Sequence, residues 1–108
     1  MTMTTNIQSN GRGIVNHAVI RVVEDATAAV IETFTVGFQP RYIAIHNLTD
    51  RISHEWFQGM ADLSALKTVA AGTRTLDTTE GPTVSNGSFT VPAATMIASK
   101  VFNIVAMG

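Results

Sequence analysis

At 108 residues, 45% hydrophobic and 14% charged, the chain has the length of one domain and too few charges to cover an isolated surface well. Seven Lys and Arg against eight Asp and Glu give a formal net charge of -1, which leaves no electrostatic drive toward nucleic acid. Without cysteine there is no disulfide frame, thiolate nucleophile or Cys-type zinc site, and no apolar run approaches the ~20 residues that span a bilayer.

The first ten residues have neither the basic start nor the apolar core of a signal peptide, so a product made and used in the cytoplasm is expected. Residues 1 to 13 are polar, end in Gly11-Arg12-Gly13 and lack periodicity. They are expected to form a flexible arm ahead of a single domain over 14–108. Val15 to Val23 is rich in β-branched residues and reads as a strand, with Glu24 to Ala28 as the turn after it. Val30 to Val36 is the next strand. Val30, Glu32, Phe34 and Val36 share one face of it, and Ile31, Thr33 and Thr35 share the other.

Gly37-Phe38-Gln39-Pro40 breaks that strand and opens a hairpin of Arg41 to Asn47 and Ile52 to Phe57, joined by Leu48-Thr49-Asp50-Arg51. A four-residue loop sets Asn47 opposite Ile52, Ile45 opposite His54 and Ile43 opposite Trp56. This register gathers Ile43, Ile45, Ile52 and Trp56 on one face, with Ala44, His46, Ser53 and Glu55 on the other. Trp56 is expected in the core. Its neighbour Phe57, with Tyr42, is expected to face a partner.

Gly59 to Asp62 marks a turn or bulge. Leu63 to Ala71 is strand-like from Leu66 or begins with a short helical turn. Thr73 to Thr78 is a half-exposed strand, and Asp77 to Pro82 is a polar loop. Asn86-Gly87 is expected to form a type I′ turn, setting Ser85 opposite Ser88, Val84 opposite Phe89 and Thr83 opposite Thr90. Ala93 to Ser99 is a connector or short helical turn, and Lys100 to Ala106 is the closing strand. The pattern predicts an all-β chain: a small β-sandwich, jelly-roll-like, or a barrel of about seven or eight short antiparallel strands.

Chemistry is sparse. His46 and His54 could share a metal only in a register slipped by one residue, because the favoured one points them to opposite faces. Asp50, Ser53 and His54 are the residue types of a hydrolytic triad, but a short hairpin lacks its geometry and no G-x-S-x-G elbow is present. No catalytic residue, metal site or cofactor is expected. Arginine is favoured at interfaces, so Arg12 and Arg41 join Tyr42 and Phe57 as candidate partner contacts.

Gly37-Phe38-Gln39-Pro40-Arg41-Tyr42-Ile43, Asn47-Leu48-Thr49-Asp50, Glu55-Trp56-Phe57-Gln58-Gly59-Met60, Ala71-Gly72-Thr73-Arg74 and Gly87-Ser88-Phe89-Thr90-Val91-Pro92 resemble small virion structural proteins of tailed bacteriophages, of the capsid decoration or cement type. The resemblance spans residues 30 to 107, and its turn-and-strand motifs carry over no catalytic residue. It implies a non-enzymatic β-sandwich that assembles as a homo-oligomer, often a trimer, on the major capsid protein at the virion surface. A tail or fibre-attachment component is the alternative virion role. A small metal- or ligand-binding module around His46, Asp50 and His54 is the alternative of a different class.

Overall fold

The structure, a computed structural model, describes residues 3–10, 16–24 and 31–108; over 3–10 it describes the backbone alone. The described residues form no helix. Their strands are β1 (Met3–Asn10), β2 (His17–Glu24), β3 (Glu32–Thr35), β4 (Tyr42–Asn47), β5 (Ile52–Phe57), β6 (Ala65–Thr68), β7 (Arg74–Asp77), β8 (Thr83–Ser85), β9 (Ser88–Val91) and β10 (Val101–Met107). All pair antiparallel, in a seven-stranded sheet of order β1-β2-β10-β4-β5-β6-β7 and a three-stranded sheet of order β3-β9-β8. The expected all-β architecture, consistent with a small sandwich or barrel, is therefore present, with ten strands among the described residues where about seven or eight were expected.

Strict alternation builds the core. Ala18, Ile20 and Val22 of β2, Phe102, Ile104 and Ala106 of β10, Ile43 and Ile45 of β4 and Trp56 of β5 all point inward. Phe34 and Val36 at β3 and Phe89 and Val91 of β9 meet them from the smaller sheet, with Phe34 and Phe89 ring centroids 5.4 Å apart. The grouping expected for the second strand is as observed: Glu32, Phe34 and Val36 share a face, which is the buried one, while Ile31, Thr33 and Thr35 are exposed. Val30 and residues 25–28 of the expected turn lie outside the described residues.

The hairpin register is as expected, with Asn47 opposite Ile52, Ile45 opposite His54 and Ile43 opposite Trp56. Asn47 fastens its loop twice: its Nδ2 donates to Asp50 Oδ2 at 3.1 Å, and its Oδ1 accepts the Asp50 backbone N–H at 3.0 Å. Arg51 completes the turn at φ 58. Buried at 5% exposure, Asn47 thus spends both ends of its amide on holding Leu48 to Arg51.

Two expectations are corrected. Where a flexible arm was expected over residues 1 to 13, Met3–Asn10 is an edge strand pairing residue by residue with β2, from Met3 opposite Glu24 to Asn10 opposite His17. Residues 1, 2 and 11–13 lie outside the described residues. β-Branched Thr4, Thr5 and Ile7 suit a strand, and β2, already paired to β10 on one side, gains partners for its other edge. The Asn86-Gly87 turn keeps its expected register, but only Gly87 has positive φ, at 95, so it is not type I′. The Gly87 carbonyl accepts from both Val36 N and Gly37 N, at 2.9 and 3.1 Å, which ties this turn to the end of β3. Of the two readings of Leu63 to Ala71 the strand is observed, as β6 from Ala65, with Leu63 ahead of it at φ 68.

Candidate functional site

The hairpin of β4 and β5 separates two surfaces. On the inner face, one row of paired residues runs Ile20, Ile104, Ile45, His54, Lys67 and Thr75, changing from apolar to polar at β5. There the polar loop between β7 and β8 brings in Glu80. Its Oε1 lies 3.0 Å from His54 Nε2 and 3.0 Å from Lys67 Nζ. The loop is held by Asp77, whose Oδ1 accepts the backbone N–H groups of Thr79 and Glu80 at 2.8 Å each. The Glu80 carbonyl in turn accepts the hydroxyl of buried Thr95.

Burial holds His54 below its usual pKa against the opposing hydrogen bond and charge of Glu80, with Lys67 adding to the lowering and Asp77 opposing it. The imidazole is therefore neutral at physiological pH. Facing a carboxylate, its Nε2 carries the proton and donates. Asp77 is held below its usual range. Desolvation acts the other way there but is outweighed by the Thr79 and Glu80 amides, Lys67 and the Thr79 hydroxyl.

This cluster forms one wall of a cavity of about 140 Å³ at the end of the sandwich. Ile45 and Phe102 line it from the sheet, and Ile97 from the connector after β9. That connector makes one tight turn, with Thr95 N and Met96 N both donating to Pro92 O, and it seats fully buried Met96 in the core.

On the outer face, register lays out three further rows. Val19, Val105, Ala44, Glu55, Leu66 and Leu76 form one; His17, Met107, Tyr42 and Phe57 form the second; Arg21, Asn103, His46, Ser53, Thr68 and Arg74 form the third. Val19, Phe57, Leu76 and Met107 are exposed here, Leu76 at 64% and Phe57 at 43%. Tyr42 packs against Phe57 with ring centroids 5.1 Å apart and planes tilted by 53°, and its hydroxyl donates to Glu55 Oε2 at 2.9 Å. Burial first, then Glu55, raises the tyrosine pKa.

The expected partner contacts sort accordingly. Tyr42 and Phe57 lie together on the outer face, and Trp56 is core while Phe57 points out. Arg41 is exposed at the start of β4, its backbone N–H bound to Met107 O. Arg12 lies outside the described residues. The alternative site around His46, Asp50 and His54 does not assemble: His46 Nδ1 pairs with Ser53 Oγ at 3.0 Å on the outer face, and His54 is inside. Asp50 is committed to Asn47 and to Lys100 Nζ at 3.1 Å. The Asp50, Ser53 and His54 types likewise fall apart, Ser53 outside and His54 within.

Sequence reading missed Glu80 and Lys67. Lys67 could have been found, because alternation on a paired β6 puts it inside beside His54. Glu80 could not: it sits in a nonperiodic loop, 26 residues from its histidine.

Comparison of the chain with protein-family models, with curated proteins and with solved structures returns no match. Among the described residues, no helix is long and apolar enough to cross a membrane.

Proposed function

We propose that this chain is a non-enzymatic structural subunit of a bacteriophage virion, of the capsid decoration type, binding the outside of the capsid shell as a homo-oligomer. The observation that carries the reading is the outer face of the seven-stranded sheet. It displays Val19 and Leu76 in one ordered row and Phe57 and Met107 in the next, while the opposite face fills the core. A sheet face with this much exposed apolar area is suited to association, and an anchoring aromatic pair such as Tyr42 and Phe57 is the kind of feature around which interfaces concentrate their energy. Ser53 and His46 touch, but no third group among the described residues orients the imidazole, so the outer face offers packing and hydrogen bonds in place of a nucleophile.

Binding only to the assembled shell would stabilise it by mass action, and many copies would add avidity. Purified protein mixed with expanded capsids lacking it should co-sediment and raise the temperature at which the shell melts. Failure on both counts, or a solution mass showing a monomer that stays monomeric at high concentration, would overturn the proposal.

A further inference from the structure

We propose that the cavity walled by His54, Lys67 and Glu80 is a binding site for a small uncharged molecule: a single-ring or similarly compact apolar body carrying one hydroxyl. This site lies on the inner face of the sheet and stands apart from the virion reading, which the outer face carries.

Size comes first. The cavity measures about 140 Å³, close to the roughly 150 Å³ of apolar cavities that admit benzene. Its lining is mixed: Ile45, Ile52, Ile97 and Phe102 supply hydrocarbon, and Asn47, His54, Lys67, Glu80 and Thr95 supply polar groups. These groups are fixed before any ligand arrives. Asn47 is closed on Asp50, Thr95 on the Glu80 carbonyl, and His54 and Lys67 on Glu80 Oε1.

What remains available defines the ligand. Glu80 Oε1 already accepts twice, whereas Oε2 takes no hydrogen bond from a described residue. The ammonium of Lys67 has one acceptor among the described residues and two further N–H groups. A hydroxyl can donate to Glu80 Oε2 and accept from Lys67 in the same pose. A charged ligand fares worse. Lys67 and Glu80 already neutralise each other and His54 is neutral, so an incoming carboxylate or ammonium would be desolvated without an uncommitted counter-charge. Charges a little further out, Asp77 beside the loop and the Asp50–Lys100 pair, sum to -1 and offer no net attraction to an anion.

The test is a titration of the isotopically labelled full chain with phenol, followed by NMR. The expected result is saturable shifts in the millimolar range or below at the His54 ring and the Ile52 and Ile97 methyls. Benzoate and benzylamine should bind about tenfold more weakly or worse. Ala94 is exposed at the cavity rim, so Ala94→Phe should plug the opening and abolish the shifts while leaving the remaining spectrum unchanged. Ala94→Met provides the same readout should the larger ring disturb the connector. Lys67→Met should weaken phenol binding and leave toluene unaffected. Shifts that do not saturate, charged analogues that bind as well as phenol, or plugged variants that still bind would each overturn the proposal.

Discussion

Glu32 should make the protein less stable as pH rises through neutrality, and Glu32→Gln should remove that loss. Glu32 opens β3 and is buried at 7% exposure, and Glu24 closes β2 at 4%. Burial, then the neighbouring Glu24 carboxyl, raises Glu32 from the ordinary 4.5 to about 7. A raised carboxyl pKa means that the folded chain holds a proton the unfolded chain has released between those two values. Stability from this group is therefore complete below about pH 4.5 and is lost as pH climbs through about 7. At ~1.4 kcal/mol per tenfold change in proton affinity, the ceiling is ~3 kcal/mol, and screening by nearby solvent reduces it to about 1–3 kcal/mol. Gln is an uncharged isostere of the protonated acid, so the variant should match the wild type near pH 4.5 and exceed it by about 1–3 kcal/mol near pH 8. Urea denaturation of both proteins across this range gives the difference for the Glu32–Glu24 pair, and groups that do not interact with Glu32, His54 included, cancel. Parallel curves, or a gap that narrows with rising pH, would refute the reasoning.

His54 acts in the opposite sense: its pKa is lowered on folding, so the stability it provides is present above about pH 6.5 and lost as pH falls below. His54→Gln should therefore flatten the acid limb of a melting-temperature profile. Asn47→Ala leaves the Asp50 backbone N–H without its acceptor and should cost about 1–3 kcal/mol in urea unfolding. Gly81→Ala would place a Cβ within 2.1 Å of the Ser64 backbone oxygen and should yield little folded protein on expression; Gly72→Ala, at φ 93 but facing open space, should cost only about 1 kcal/mol. Phe57→Ala should change stability by less than ~0.5 kcal/mol in the same unfolding assay and sharply reduce co-sedimentation with capsids, whereas Phe89→Ala, at the fully buried centre, should cost about 3–5 kcal/mol.

The parts of the fold legible in the sequence are those set by neighbours within one hairpin. Register in β4 and β5 followed from a four-residue loop and the placement of Ile43, Ile45 and Trp56, because a slip by one would have turned Trp56 outward. Alternation likewise grouped Glu32, Phe34 and Val36 on one face, though which face is core came only from the structure. What escaped depended on contacts far apart in the chain. β1 is a polar stretch with a weak strand signal of its own, and it is a strand because β2 offers it a free edge. The Asn86-Gly87 turn was misjudged because its conformation answers to β3, whose end is bound to the Gly87 carbonyl. For the same reason the candidate cavity was only half visible. The inward turn of His54 was implied by the register, but its pairing with Glu80 required the packing of a loop against the open end of the sandwich.

That division bears on how the two surfaces relate. His54 and Phe57 are three residues apart on β5, an odd separation, so strand alternation puts them on opposite faces. Both faces hang on the same backbone: β5 pairs Ile45 with His54 and Tyr42 with Phe57, and Glu80 ties the inner end of this arrangement to the loop leading into the smaller sheet. A ligand in the cavity that favours the packed loop would stabilise the whole sandwich by mass action and would alter the outer rows only through the rigidity of β4 and β5. Coupling between the two faces would need an element with two discrete arrangements, and β4 and β5, paired residue by residue in one register, are a single one. Cavity occupancy should therefore raise the melting temperature of the isolated protein while leaving the proposed association with capsids nearly unchanged.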